Sequence, residues 1–364
     1  MAQLNAFPLK SDRVSLAVTE IGGQLSDVAF TLADGRTIRP MQTAPWADEK
    51  FDPDIPPMLR MLRGDFFCAP FGASDLIETD EGSHGLPAGG EWRPVVTDGT
   101  TLDAELQGTV LGATVSKHVA VRAGESVIYQ RHVMRGGNGR VPIGHHAMLN
   151  AGTPLHLSFA PWTMALTPPV PFEVPPEGRN LLAHAQTITD PTAAEGADGE
   201  PVDLTRFPSP DGFEGLWMLL SDQTPALAWA AATATEQNWV WFTLKNPRVL
   251  PQTVFWLSNG GRDYAPWNGR HRGVVALEDV CAYFHLGHAA SIGDNPVAAA
   301  GSPTAVTLKP GSAVTVDYIF GVTATPPEFG PVADIVAEDA GVMLIDRDGR
   351  EAFAACDPSF IARD

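Results

Sequence analysis

The side chains able to move protons in this sequence are concentrated in a few short segments. His145 and His146 are adjacent in Ile143-Gly144-His145-His146-Ala147. Neighbouring residues on a strand point to opposite faces, so one histidine can enter a cleft while the other meets core or solvent. The pair is therefore a poor metal chelate, and a strand histidine is more often a structural hydrogen-bonding group than a catalyst. Glu278 closes the apolar run Val274-Val275-Ala276-Leu277. Removal from water raises a carboxyl pKa and makes a usable base near neutrality, although a solvent-facing strand end fits the same residues. Trp256, Asp263, Tyr264 and Trp267 lie in FWLSNGGRDYAPWNG. Aromatic planes beside hydrogen-bonding groups suit sugars, whose C–H faces stack and whose hydroxyls need directional partners. Cys281, His285 and His288 have metal-like spacing, but on a strand His288 would oppose the other two, which disfavours a metal site.

A second group of polar side chains sits in residues 61–92, MLRGDFFCAPFGASDLIETDEGSHGLPAGGEW. Arg63, Asp75 and His84 could hold a polar ligand from a binding loop mounted on a rigid scaffold. The cluster Gly136-Gly137-Asn138-Gly139 reads as a turn, because no helical pattern follows it as a dinucleotide fingerprint requires.

The elements that must position these residues read as strands. Residues 14–39 alternate around an Asp34-Gly35 turn, and 102–106, 113–121 and 126–134 continue the pattern. Apolar runs of strand length follow at 216–220, 226–232, 239–244 and 253–258, then 272–286 as one longer strand or two. Residues 304–308 and 313–322 close the sheet across Lys309-Pro310-Gly311. Only 331–338 and 358–363 carry a helical pattern. Short strands without alternating helices predict an all-β fold, a large antiparallel β-sandwich. Residues 161–210 are rich in proline, alanine and acids, and read as an insertion, since the strand pattern resumes beyond it. The expectation is one sandwich domain over residues 1–364 with that insertion.

Bulk composition narrows the partners. Asp and Glu number 43 against 24 for Lys and Arg, a formal charge of −19 that repels phosphate backbones and anionic lipids, so neither nucleic acid nor membrane is expected. Three cysteines without zinc-knuckle spacing, and a start lacking the apolar core of a secretory signal, predict a cytoplasmic protein with reduced thiols.

Taken in order, these motifs resemble the aldose 1-epimerase (galactose mutarotase) superfamily, in particular its hexose-6-phosphate epimerase-like branch. LRGDFFCAPFG with SHGLPAGGEW is similar to the arginine–glycine, aromatic–proline and His-Gly segments of that branch. HHAMLN and GVVALED resemble the strands of the catalytic histidine and glutamate, and TLKPGSAVTVDYIFGV resembles the final hairpin. The likeness runs in order over residues 14–322. It implies a sandwich whose concave sheet face binds a small-molecule carbohydrate, with no metal or organic cofactor. It further implies α/β interconversion of an aldose or aldose phosphate by ring opening, with Glu278 as base and His146 as acid. Arg63, Asp75, His84, Asp263 and Trp267 would bind the sugar, Arg63 suiting a phosphate or carboxylate. A carbohydrate-binding or sensing protein without turnover fits the same pocket, and a carbohydrate lyase or hydrolase follows only from fold analogy.

Overall fold

The computed structural model describes residues 5–51, 55–73, 75, 76 and 82–361. Two large antiparallel sheets face each other. The seven-stranded sheet runs in the order Trp162–Leu166, Phe213–Ser221, Gln252–Asn259, Val274–Cys281, Ile143–His145, Phe67–Cys68, and Ala147–Leu149 also pairs with Val274–Cys281. The nine-stranded sheet runs Arg206–Phe207, Leu155–Phe159, Ala228–Ala234, Trp239–Lys245, Ala313–Ala324, Val127–Gly136, Ala113–Ala120, Thr101–Leu106, Trp92–Thr97. A smaller sheet of Ala6–Lys10, Val14–Thr19, Leu25–Thr31 and Thr37–Ile38 contributes Leu16, Val18, Leu25 and Phe30 to the same core.

The burial of each strand explains its sequence pattern. Trp92–Thr97 lies at an edge and exposes all but Trp92. Gln252–Asn259 and Val274–Cys281 are buried at every position, because both faces of their sheet are covered. Phe255, Leu257, Val275 and Leu277 fill the space between the sheets with Trp241 and Phe320. Val254, Trp256, Val274, Ala276 and Val280 face the other way, under Trp46, Met58, Leu62 and Trp267. A strand covered on both sides needs no alternation, so these segments read as continuous apolar runs. Glu278 shares the parity of Ala276 and Val280 and so points under the loops, while Asp279 points between the sheets.

Two buried polar connections cross the interior. Lys245 of the nine-stranded sheet meets Asp279 at 2.6 Å, and Asp279 also accepts hydrogen bonds from Thr243 and Thr253. Asp65 accepts from Gln130 at 2.6 Å and lies 2.9 Å from His145 Nδ1. Each of these buried charges has close partners, which limits the cost of removing it from water.

Several expectations need correcting. Residues 331–338 are not helical: Val332–Glu338 is a strand, forming a three-stranded sheet with Gly341–Asp346 and Glu351–Ala355. Ile335, Val342 and Leu344 pack on Trp229, Phe242 and Ile319 of the outer face of the nine-stranded sheet, a tertiary burial that overrides a weak local pattern. Pro358–Phe360 is a short 3₁₀ turn, and the rest of that expected helix from residue 362 onward lies outside the described residues. Val306–Leu308 pairs with Gly139–Val141 and not across the Lys309-Pro310-Gly311 turn with Ala313–Ala324. The expected long strand over 272–286 stops at Cys281, and helices at Gly287–Ile292 and Pro296–Ala299 follow. No helix among the described residues is long and apolar enough to cross a membrane.

Candidate active site

The covered face of the seven-stranded sheet holds a cavity of about 320 Å³, a size within the range of small-molecule sites. Glu278 stands on its floor, opposite Val254 in the ladder, with Trp256 two residues along on the same face. His146 falls between the short strands Ile143–His145 and Ala147–Leu149, which both pair with Val274–Cys281. That pairing places its Nε2 3.3 Å from Glu278 Oε1, with both side chains almost wholly buried. Both side chains line the cavity, within reach of a ligand.

The imidazole of His146 is fixed by its neighbours. Its backbone N–H donates to Phe66 O at 3.0 Å, and the Phe66 ring stacks on it with centroids 4.8 Å apart. His84 meets it edge-on at 4.9 Å. Burial drives the His146 pKa down to about 3, opposed by its own backbone hydrogen bond and assisted by His271 and Arg262. Burial raises the Glu278 carboxyl well above its ordinary range, and Arg262 pulls it partway back. Burial thus favours the neutral form of both groups.

His84 heads the short helix Gly85–Gly89 with a left-handed φ of 68°. Burial also keeps this ring neutral, and its Nδ1 accepts the Gly72 N–H at 3.3 Å. The ring proton of a neutral imidazole must then be on Nε2, which leaves His84 a donor to a ligand. Gly72 has φ of 94°, and a Cβ there would meet His285 O at 2.5 Å. Only glycine lets this loop pass so close to the turn that carries His285 into the cavity.

The far wall is aromatic and cationic. Trp267 stands edge-on to Trp46 at 4.8 Å and to Trp256 at 5.6 Å. The Arg262 guanidinium lies 4.5 Å from the Trp267 ring, 5.0 Å from Trp256 and 4.8 Å from Phe172. Its Nε binds Glu173 Oε1 at 2.5 Å, and Tyr264 OH approaches the same oxygen at 3.4 Å. Behind the wall, buried Glu214 accepts from Trp256 Nε1 at 2.7 Å, Ser258 Oγ at 3.1 Å and Gly261 N–H at 3.0 Å. Those bonds set both the indole plane and the loop from which Arg262 projects.

Of the side chains singled out in the sequence, Glu278, His146, His84, Trp256, Tyr264, Trp267 and His285 meet in this cavity. Arg63, Asp75 and Asp263 do not line it. Arg63 bridges to Thr43, and its Nε donates to Met61 O at 2.7 Å within its own loop. Asp75 accepts the His288 and Ala289 N–H groups, both at 2.7 Å, at the start of the Gly287–Ile292 helix. Asp263 is half exposed in a pair with Arg179, because its neighbour Arg262 takes the inward direction. Sequence reasoning missed Arg262 and Phe172, and weighed His285 only as a disfavoured metal ligand. The inward arginine was legible only as a residue flanked by aromatics, and His285 was hidden because the chain turns at Phe284, with φ of 53°, where a strand was expected. Among the described residues no group of three His, Cys, Asp or Glu side chains is arranged to hold a metal ion.

No protein-family model matches the chain. No curated protein matches it either. Solved structures do. One is an Escherichia coli K12 protein proposed to be an aldose 1-epimerase, 13% identical, with a TM-score of 0.57 over 88% of this chain and 99% of that one. The galactose mutarotase related enzyme of Lactobacillus acidophilus is 10% identical, with a TM-score of 0.56 over 88% and 98%. The Slr1438 protein of Synechocystis sp. PCC 6803 is 14% identical, with a TM-score of 0.57 over 88% and 96%. The chain is thus a large antiparallel β-sandwich of the galactose mutarotase-like fold. At these identities the likeness establishes the fold, and function has to be argued from the site.

Proposed function

We propose that this cavity interconverts the α and β anomers of an aldose by acid/base ring opening. The observation that carries the reading is the Glu278–His146 pair, 3.3 Å apart and buried, on the floor of an aromatic-walled cavity. Opening a pyranose requires a base to take the proton of the anomeric hydroxyl and an acid to protonate the ring oxygen. Rotation about C1–C2 then presents the other face of the aldehyde, and closure runs the transfers backward. A carboxyl group and an imidazole side by side can supply both partners. Glu278 serves as the base and His146 as the acid, and the roles exchange on closure. His84 donates from Nε2 to a hydroxyl, and Trp267 offers its face or edge to the sugar C–H groups.

Exchange NMR of anomeric protons, over a panel of aldoses, tests this directly. The wild-type chain should accelerate α/β exchange, and Glu278→Gln and His146→Ala should each slow it by roughly 10²–10⁴-fold, the usual contribution of a positioned acid or base. Saturable sugar binding without accelerated exchange would instead favour a carbohydrate-binding or sensing protein.

A further inference from the structure

Arg262 is the only lysine or arginine lining the cavity among the described residues, and it is already engaged. Glu173 holds its Nε at 2.5 Å, and buried Glu214 also lies within its electrostatic reach. The nearby rings of His84, His146, His271 and His285 remain neutral because they are buried, so they add no positive charge. Glu173 itself is fixed: its N–H donates to Asn180 Oδ1 at 2.8 Å, Asn180 Nδ2 donates back to its carbonyl, and only 6% of the residue is exposed. It belongs to the proline-rich segment that looked like an insertion, and this segment also lays Phe172 on the guanidinium.

From this arrangement we infer that Glu173 sets the charge selectivity of the cavity, admitting uncharged aldoses and rejecting sugars that carry a phosphate or carboxylate. The inference rests on the aldose reading above and narrows it. The guanidinium groups other than Nε make no hydrogen bond among the described residues. A sugar hydroxyl can accept from them, so a neutral ligand leaves the ion pair as it stands. A sugar phosphate must compete with Glu173 for one cation, and like charges brought together in a desolvated site are strongly disfavoured. Arg63, the residue that suited a phosphate on sequence grounds, is outside the cavity.

The test compares glucose and galactose with their 6-phosphates, reading binding by calorimetry and anomer exchange by NMR on the same samples. The wild-type chain should favour the uncharged sugars by at least about tenfold, and Glu173→Gln, which keeps an acceptor but removes the charge, should reduce that ratio about tenfold. An unchanged ratio in a folded Glu173→Gln protein overturns the inference. So does a wild-type preference for the 6-phosphate, a readout that does not depend on the variant folding. Selective binding of uncharged sugars with no exchange overturns the enzymatic reading while upholding the selectivity, and binding of neither form overturns both.

Discussion

Burial holds the Glu278 carboxyl toward its protonated form. Its folded-state pKa lies well above the ordinary value of 4.5 because of burial, an effect only partly offset by Arg262. Such a shift has a definite sign. The stabilising contribution is fully present below about 4.5, and it is lost as pH rises from there through the folded value, because the unfolded chain releases the proton more readily. Glu278→Gln cannot ionise and escapes that loss. The variant should unfold at higher urea concentration than wild type at pH 8, by on the order of one to a few kcal/mol, and the gap should nearly close at pH 4. A gap that does not change with pH would show that the stability difference comes from packing. Sequence alone singled out this residue, since a charge closing an apolar run is a visible anomaly. It could not reveal the Arg262–Glu173 contact, which joins segments about 90 residues apart.

At the scale of elements, the succession of strands along the chain behind the site was legible because turn residues bracket each run. Pairing partners and short helices were not. The Gly287–Ile292 helix is six residues long, too short to declare a period, and it is started by a carboxylate more than 200 residues away. Asp75 accepts from its first free N–H groups, the work of an N-cap side chain done from another segment. Asp75→Ala should therefore cost about 0.5–2 kcal/mol in urea unfolding, the usual range for a lost cap, while sugar affinity in calorimetry stays within about twofold. A selective loss of sugar affinity with unchanged stability would return Asp75 to the ligand-binding role suggested by its place in the sequence.

For the whole molecule, the question is how two broad sheets hold the one register that aligns Glu278 with His146 and Trp256. Apolar packing between sheets is forgiving of small slides, whereas a charge pair in a desolvated interior is not. Lys245 and Asp279 supply such a constraint. They are fully buried 2.6 Å apart, and Asp279 is the immediate neighbour of Glu278 on the same strand, facing the opposite way. Lys245 Nζ also donates to Gln252 O at 2.8 Å and to Thr253 Oγ1 at 2.7 Å, which ties the nine-stranded sheet to the strand beside Glu278. Truncating either partner strands a buried charge, so Lys245→Met or Asp279→Leu alone should cost about 3–5 kcal/mol in urea unfolding. The double variant removes both charges and should recover most of that loss, with a coupling well above the error of the cycle. If the pair fixes the register of the floor, the double variant will be stable yet slower in anomer exchange than wild type. Equal stability with undiminished exchange would mean that apolar packing alone sets the geometry of the site.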